Sequence, residues 1–352
     1  MAARINNRAP RFLEVGADLL PSLIEIIQNQ GYATRRVLLL GDRTTFAIGG
    51  NTIARNFQKR KIRVIKTVVD SCDEPMVDRI TATIKHRLPD LVIGFGGGRV
   101  LDAAKLAAGR ARIKYLSVPT ILSNDGIASP VSVIKDRNGI PVSHLTRPPW
   151  GVVVDIKVVQ KAPIRHLRAG IGDLISNLSA VYDARLAKNR KAGYVDDYAL
   201  SLAEAGPARL LEQKNPRIKH PDFLMRLTEG LAQSGLAMGI AGSSQPASGS
   251  EHKISHSLDQ IHPRNRNLHG EQVGLATIFT MVIQENHYLS RVRAFYRRIG
   301  FPVKLSYLGL TPEIFCRIVA YALRIRPDRY TILEDRKLKD REILKVVKAL
   351  KM

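Results

Sequence analysis

The first 160 or so residues alternate short apolar runs with segments of helical periodicity, and this alternation constrains the fold more than any other feature. Runs that indicate strands include RVLLLG at 36–41, LVIGF at 91–95 and GVVVD at 151–155. Helical segments such as PMVDRITATIKHRL and RVLDAAKLAA separate them. Because parallel strands need a crossover connection, usually a helix, the pattern predicts an α/β region with an open parallel sheet.

The rest of the chain has a different pattern. Leu, Ala and Ile recur at three- and four-residue spacing, without a convincing strand between them, over 173–189, 195–213, 223–240 and 271–289. We therefore expect a second, all-helical domain that begins near residues 160–170. A cleft beside the carboxyl edge of the sheet is the expected ligand site for such an arrangement.

Charge and cysteine content narrow the class of protein. Lys and Arg number 55 against 31 Asp and Glu, a net charge of +24 that attracts phosphorylated metabolites, nucleotides, nucleic acids or acidic membranes. The basic residues are scattered and follow no nucleic-acid-binding repeat, so we expect a solvated basic surface and no nucleic-acid partner. Cys72 and Cys316 form no CxxC pair, which favours a reducing cytoplasm. The longest apolar stretch, 273–283, is too short to span a bilayer, so we expect no integral membrane association.

A glycine triplet follows the strand LVIGF. Gly96, Gly97 and Gly98 precede a helix, where backbone N–H groups and the helix dipole can bind a pyrophosphate. The literal GxGxxG pattern fails because Arg99 stands at its last glycine, so a simple tight turn is an equal alternative. On the helix that follows, the spacing of Asp102 and Lys105 indicates an ordinary surface pair.

Histidines cluster between positions 252 and 269, namely His252, His256, His262 and His269. The first two are four residues apart, so on a helix both imidazoles share a face and can hold one metal ion. Histidines on a polar, solvated helix are the alternative. Asp173 follows Gly170 and Gly172 at an expected helix start, where it is either a third metal ligand or an N-cap. A carboxylate and two imidazoles leave one metal position open for substrate.

Five segments occur in order over nearly the whole chain: GFGGGRVLDAAK, SVPTILSNDGIASP, GIGDLISNLSAVYD, SGSEHKISHSLD and LHGEQVGLA. Together they resemble the sn-glycerol-1-phosphate dehydrogenase family, which is related to glycerol dehydrogenases, iron-type alcohol dehydrogenases and dehydroquinate synthases. The resemblance implies a dehydroquinate synthase-like fold, with a Rossmann-like NAD(P)-binding domain at 1–165 and a helical metal- and substrate-binding domain at 166–352. It also implies a homo-oligomer that interconverts dihydroxyacetone phosphate and sn-glycerol 1-phosphate, a step in glycerophospholipid backbone formation.

The resemblance also assigns site residues. It assigns the metal, expected to be Zn²⁺ with nickel and iron also compatible, to Asp173, His252 and His269 instead of the His252–His256 pair. Asp125, Asp173 and His256 are expected to contact substrate, with Asp125 and His256 catalytic. Contacts to NAD or NADP are expected at Gly98, Arg99, Val100, Leu101, Asp102, Thr120, Ile121, Leu122, Ser123 and Ser129.

The sequence departs from the family at one position and leaves alternatives open. Asn124 stands where many members have histidine, and an amide cannot exchange a proton near neutral pH. Asp42 and Arg43 favour opposite choices between NADH and NADPH. A glycerol dehydrogenase-like enzyme, a dehydroquinate synthase-like cyclase and, more remotely, a non-catalytic polyanion-binding protein are the alternative functions.

Overall fold

The structure is a computed structural model that describes residues 9–263 and 265–352. The chain divides into two compact units. Unit 1 comprises the described residues up to Pro163 together with Lys219–Thr228, and unit 2 comprises Ile164–Ile218 and Glu229–Met352.

The strands lie in unit 1. Their bounds are β1 (Leu13–Gly16), β2 (Arg36–Gly41), β3 (Arg63–Val68), β4 (Leu91–Gly96), β5 (Tyr115–Pro119), β6 (Val131–Lys135), β7 (Pro141–Leu145) and β8 (Gly151–Asp155). Within the described residues, six of them form one parallel sheet in the order β1-β8-β5-β4-β2-β3. The predicted parallel sheet is confirmed. β6 and β7 pair as an antiparallel hairpin, with Gly139 at φ +79 in the turn.

Helices cover both faces of this sheet. They are α1 (Leu23–Asn29), α2 (Arg43–Thr45), α3 (Asn51–Lys59), α4 (Glu74–Arg87), α5 (Gly98–Arg110) and α6 (Ile156–Val159). Alternate β2 side chains point to opposite faces, so Val37 and Leu39 pack in the core under α1 and α3. Leu38 and Leu40 pack with α4 and α5 on the other face. Burial on both faces explains why the central strands are continuously apolar.

Unit 2 is helical. Its helices are α7 (Ile164–Asn189), α8 (Asp197–Leu211), α9 (Pro221–Ala241, whose first residues belong to unit 1), α10 (Ser250–Ile261), α11 (His269–Ile283), α12 (Leu289–Ile299), α13 (Pro312–Ala322), α14 (Ile332–Arg336) and α15 (Asp340–Leu350). Apolar residues from α10, α11, α13 and α15 contribute to one core cluster of this unit. None of the described helices combines the length and apolar content needed to cross a bilayer.

Two helix boundaries differ from the sequence prediction. The stretch predicted as one helix over 271–289 breaks after α11, where Glu285 takes a positive φ of 52 and a new helix begins at Leu289. The prediction that Asp173 begins a helix is also wrong, because α7 starts nine residues earlier at Ile164. Gly170 and Gly172 therefore lie inside a helix.

Candidate functional site

Asp173, His252 and His269 come together in unit 2, each from a different helix. Their ligand atoms all lie within 4.8 Å of one another. Asp173 Oδ1 is 4.0 Å from His252 Nε2 and 3.7 Å from His269 Nε2. A metal held tetrahedrally at about 2.1 Å from each ligand sets such atoms about 3.4 Å apart, so a small inward movement completes the site.

Close packing of α7 against α11 brings Asp173 next to His269. A Cβ at Gly172 would overlap the Gly270 carbonyl oxygen, and a Cβ at Gly270 would overlap the Ala169 carbonyl oxygen. Glycine is therefore required at both crossing points for the helices to approach this closely. Gly172, directly before Asp173, therefore serves helix packing rather than helix initiation.

Each imidazole ligand has a partner on its other ring nitrogen. Glu251 Oε1 lies 2.9 Å from His252 Nδ1, and Ser255 Oγ lies 3.2 Å from His269 Nδ1. The Ser255 hydroxyl in turn donates to Gln272 Oε1 at 2.6 Å. A carboxylate on the far side of a histidine fixes its tautomer and raises its basicity, as metal-ligating histidines require.

Both imidazoles are neutral near neutral pH. Burial lowers the pKa of His252 to about 3, with contributions from the Arg326 and Arg329 charges. Burial and the neighbouring His252 lower the pKa of His269 to about 3 as well. A metal binds the neutral imidazole, so its loading at neutral pH is not opposed by ring protons. The donor set and its electrostatics fit a divalent metal with an open position.

His256 does not join the three-ligand group, so the pairing of His252 with His256 predicted from spacing is wrong. Its ring centroid lies 6.4 Å from that of His252 and 6.0 Å from that of His269. Its Nε2 lies 3.2 Å from Arg326 Nη2, which has only donors, so Nε2 is the acceptor. Burial and Arg326 hold the pKa of His256 well below its usual value. His256 is thus a neutral side chain beside the candidate metal centre.

In unit 1, the glycine triplet connects β4 to α5. Gly97 is the N-cap of α5, and no side chain caps that end of the helix. A Cβ at Gly96 would clash with Val100, and one at Gly97 with Ile121, so these two glycines are needed for packing. A Cβ at Gly98 would meet only Asn124 Nδ2, at 3.6 Å. Protein packing therefore does not require glycine at position 98.

The other residues expected to contact NAD(P) are exposed to different degrees. Val100, Leu101, Leu122 and Ser129 are at most 1% exposed, so almost none of their surface, side chain or backbone, is open in this structure. Ile121 and Ser123 are half-buried, and Thr120 is buried. The exposed Arg99 side chain reaches Asp42 Oδ2 at 3.3 Å.

The interpretation of Asp102 and Lys105 as a surface pair is wrong. Lys105 is 1% exposed, and its Nζ donates to the carbonyls of Gly126 at 2.8 Å and Val131 at 2.6 Å. The same ammonium lies 3.6 Å from Asp102 Oδ1. Burial raises the pKa of Asp102 and lowers that of Lys105, each opposed by the charge of the other. Lys105 anchors the loop that carries Asp125.

Asn124 has a structural role in the same loop. Its side-chain oxygen accepts the N–H of Gly126 at 3.0 Å and caps the short 3₁₀ turn Asp125–Ile127. Ser129 N–H donates to the Asp125 carbonyl at 3.1 Å and closes this turn. Asn124 therefore shapes the backbone around Asp125, a role that needs no proton exchange.

Several residues around the candidate metal centre had no role in the sequence interpretation. For Glu251, the signal that the sequence offers is its position one residue before His252. Ser255, Arg326 and Arg329 gave no pattern signal, because their contacts depend on how α10, α11 and the segment after α13 pack.

Comparisons with known proteins agree with this architecture. Residues 14–163 match the family model described as iron-containing alcohol dehydrogenase. Solved structures with the same fold include glycerol dehydrogenase from Schizosaccharomyces pombe, with TM-score 0.79 and 23% identity over 97% of this chain and 89% of that one. Another is the iron-containing alcohol dehydrogenase from Thermococcus thioreducens, with TM-score 0.73 and 16% identity over 96% and 97%. The fold is that of the iron-containing alcohol dehydrogenase class.

Curated relatives place the chain more narrowly. Glycerol-1-phosphate dehydrogenase, NAD(P)⁺, from Hyperthermus butylicus is 37% identical over 332 residues, 92% of each chain. The protein of the same name from Thermococcus sibiricus is 34% identical over 325 residues, 92% of this chain and 91% of its own. The chain belongs to the glycerol-1-phosphate dehydrogenase family, which confirms the resemblance found in the sequence.

Proposed function

We propose that this protein is a metal-dependent, NAD(P)-linked oxidoreductase that interconverts dihydroxyacetone phosphate and sn-glycerol 1-phosphate. The observation that carries the proposal is the convergence of Asp173, His252 and His269 in a member of this family. The names of the relatives support the substrate and the cofactor.

The proposal assigns ligands to residues of each unit. Asp173, His252 and His269 hold a divalent metal, for which Zn²⁺ is the first candidate. The glycine loop from Gly98 to Asp102 holds the cofactor pyrophosphate, with further contacts from residues 120–123 and Ser129. When bound, the metal polarises the oxygen on C2 of the substrate and the nicotinamide carries the hydride.

The chain's own residues orient the substrate. Asp125 lies in a turn that contacts of Gly126 with Asn124 and Lys105 fix, and we assign its carboxylate the acceptance of a hydrogen bond from a substrate hydroxyl. His256 Nε2 accepts a hydrogen bond from Arg326, so the ring proton of the neutral His256 is assigned to Nδ1. Because this imidazole stays neutral, we assign it hydrogen-bond donation to the substrate, and the C2 hydroxyl proton exchanges with a water molecule.

A stereospecific assay tests the proposed function. Purified, zinc-loaded protein is mixed with dihydroxyacetone phosphate and NADH or NADPH, and loss of the reduced nicotinamide absorbance is followed. We expect net oxidation of the nicotinamide and a product that an sn-glycerol 3-phosphate-specific enzyme does not consume. A preference for dihydroxyacetone would instead support a glycerol dehydrogenase-like enzyme, and turnover of a cyclase substrate without net nicotinamide loss would support the dehydroquinate synthase-like alternative.

We also propose that the enzyme works in the cytoplasm as a homo-oligomer. Cys72 and Cys316 are both free thiols, which suits a reducing compartment. Tyr194 and Tyr198 are 72% and 67% exposed in the single chain. Aromatic side chains are enriched at interfaces between subunits, so an interface between copies would bury them. Light scattering during size-exclusion chromatography measures the assembly directly, and a monomer at micromolar concentration would contradict it.

A further inference from the structure

Two arginines between α13 and α14 lie beside His256 and share a serine. Arg326 Nη1 donates to Ser248 Oγ at 2.8 Å and to Ser244 Oγ at 3.2 Å. Arg329 Nη2 donates to the same Ser244 Oγ at 3.2 Å, and its Nη1 to the Ser248 carbonyl at 2.6 Å. We call Ser244, Ser248, Arg326 and Arg329 the arginine–serine cluster.

The backbone of the cluster is fixed, and its two arginine residues are partly exposed. Lys253 is 1% exposed, and its Nζ donates to the Arg329 carbonyl at 3.1 Å and pairs with Glu334. Glu334 also accepts the Thr331 N–H at 2.9 Å, which ties the segment to the start of α14. Arg326 and Arg329 are both half-buried. A ligand can therefore reach two cations that are already positioned.

The electrostatics of the cluster favour an anion. Burial lowers the pKa of Arg329 to about 10, with the adjacent Arg326 charge as the second cause, so both groups remain cationic at neutral pH. The carboxylates of Asp328 and Glu251 offset part of the repulsion between the two guanidinium charges, and an anionic ligand would offset more of it. The backbone N–H groups of Gly249 and Ser250, at the start of α10, already donate to Glu251 and Asp183. Guanidinium and hydroxyl groups are therefore the donors that the cluster offers to an anion.

The arginine–serine cluster lies on the side of His256 where the phosphate of a three-carbon substrate could extend from the candidate metal centre. Arg326 contacts His256, whose ring lies 6.0 Å from the ring of the candidate metal ligand His269. His256 thus contacts the nearer guanidinium and neighbours one of the candidate metal ligands. In the proposed substrate, two carbons and an ester oxygen separate the C2 oxygen from phosphorus. A substrate with its C2 oxygen at the metal centre can extend its phosphate to the cluster.

We propose that the arginine–serine cluster binds the phosphate group of the substrate, a phosphomonoester dianion. This inference rests on the proposed function, which requires a phosphorylated substrate but assigns no residue to the phosphate. Guanidinium groups suit this role because their planar N–H pairs match phosphate oxygens bidentately. The described contacts use two of the five N–H groups of Arg329, so the others can meet a phosphate.

Replacing Arg329 tests the cluster with the least disturbance of His256. We expect Arg329→Met to lower kcat/KM for dihydroxyacetone phosphate by about 10- to 150-fold, the value of a charged hydrogen bond. Its kcat/KM for unphosphorylated dihydroxyacetone should change by less than about threefold, because that substrate has no phosphate group that could contact Arg329. Arg329→Lys should be less severe than Arg329→Met, since the charge remains and the planar fork is lost. Arg324→Met, an exposed arginine of the same segment, is the matched control and should behave as wild type.

The readouts separate failure of the cluster from failure of the function. If wild-type protein does not prefer the phosphorylated substrate, the proposed function fails. If wild type prefers dihydroxyacetone phosphate but Arg329→Met lowers kcat/KM equally for the phosphorylated and the unphosphorylated substrate, the cluster assignment is overturned while the proposed function stands. A selective rise in the KM for NADPH relative to NADH would reassign the cluster to the cofactor 2′-phosphate and also overturn it.

A binding measurement covers variants that fold poorly. Inorganic phosphate should inhibit wild type and Arg324→Met competitively against dihydroxyacetone phosphate. The inhibition constant of phosphate should rise about tenfold or more in Arg329→Lys, which loses the planar guanidinium group, or in Ser248→Ala, which loses a hydroxyl group. Unchanged phosphate inhibition in both variants would place the phosphate elsewhere.

Discussion

Lys105 is the residue whose removal should most clearly separate the anchoring of the Asp125 loop from general stability. Its buried ammonium contacts the Gly126 and Val131 carbonyls and lies 3.6 Å from Asp102 Oδ1. Lys105→Met keeps the aliphatic stem but leaves a buried carboxylate without its partner. Breaking a buried charge pair costs about 3–5 kcal/mol, so we expect the melting transition of unit 1 to fall by about 6–20 °C.

The stability that Lys105→Met loses depends on pH, and the titration of Asp102 sets the direction of this dependence. Burial already raises the pKa of Asp102, and loss of the Lys105 charge raises it further. A carboxyl group with a raised folded pKa binds its proton more readily in the folded state, so acid stabilises that state relative to the unfolded one. The destabilisation of Lys105→Met relative to wild type should therefore shrink as pH falls from about 8 to about 5.

The assay is thermal unfolding followed by circular dichroism across this pH range, together with KM for NADH. We expect a higher KM, because Gly126 and the residues 120–123 to which we assign cofactor contacts share one loop. Lys105→Met combined with Asp102→Asn should recover part of the lost stability, and the exposed Lys85→Met is the matched control. A variant that melts within about 1 °C of wild type at every pH would refute the anchoring role of Lys105.

Two further predictions concern the other parts of the site. Glu251→Gln should lower zinc affinity by about 10- to 100-fold in chelator competition, because the negative partner of His252 Nδ1 is lost. Replacement of the exposed Glu285 by Gln is the control and should leave zinc affinity unchanged. Equal zinc affinities of Glu251→Gln and wild type would show that Glu251 does not orient His252. Gly98→Ala should change the free energy of unfolding by less than about 1 kcal/mol, since its Cβ meets only Asn124 at 3.6 Å, yet weaken NADH binding measured by calorimetry. Unchanged NADH binding would remove Gly98 from the cofactor site.

The sheet was predictable from the sequence because its central strands are buried on both faces. LVIGF and GVVVD have no polar residue before their ends, and helical segments of ordinary length separate the strands. The Asn138–Gly139 pair likewise marks the hairpin turn, since Gly139 must take a positive φ. These signals are local, so the sequence pattern is sufficient to detect them.

The candidate site depends on contacts between distant segments, which local patterns do not encode. Spacing favoured His256 as the partner of His252, whereas the structure places His269, from the next helix, near Asp173. Charged residues are usually exposed, so Lys105 was interpreted as a surface residue, although it lies in the core. The family resemblance named the three residues that the structure brings together, because it compares whole motifs rather than single periods.

The central claim is that Asp173, His252 and His269 bind one divalent metal. Anomalous X-ray scattering at the zinc edge from a crystal of the zinc-loaded protein tests this claim most directly. We predict one strong peak about 2.0–2.2 Å from Asp173 Oδ1, His252 Nε2 and His269 Nε2, with His256 outside bonding distance. A peak bound by His252 and His256 without His269, or a fully loaded protein with no peak near Asp173, would contradict the account.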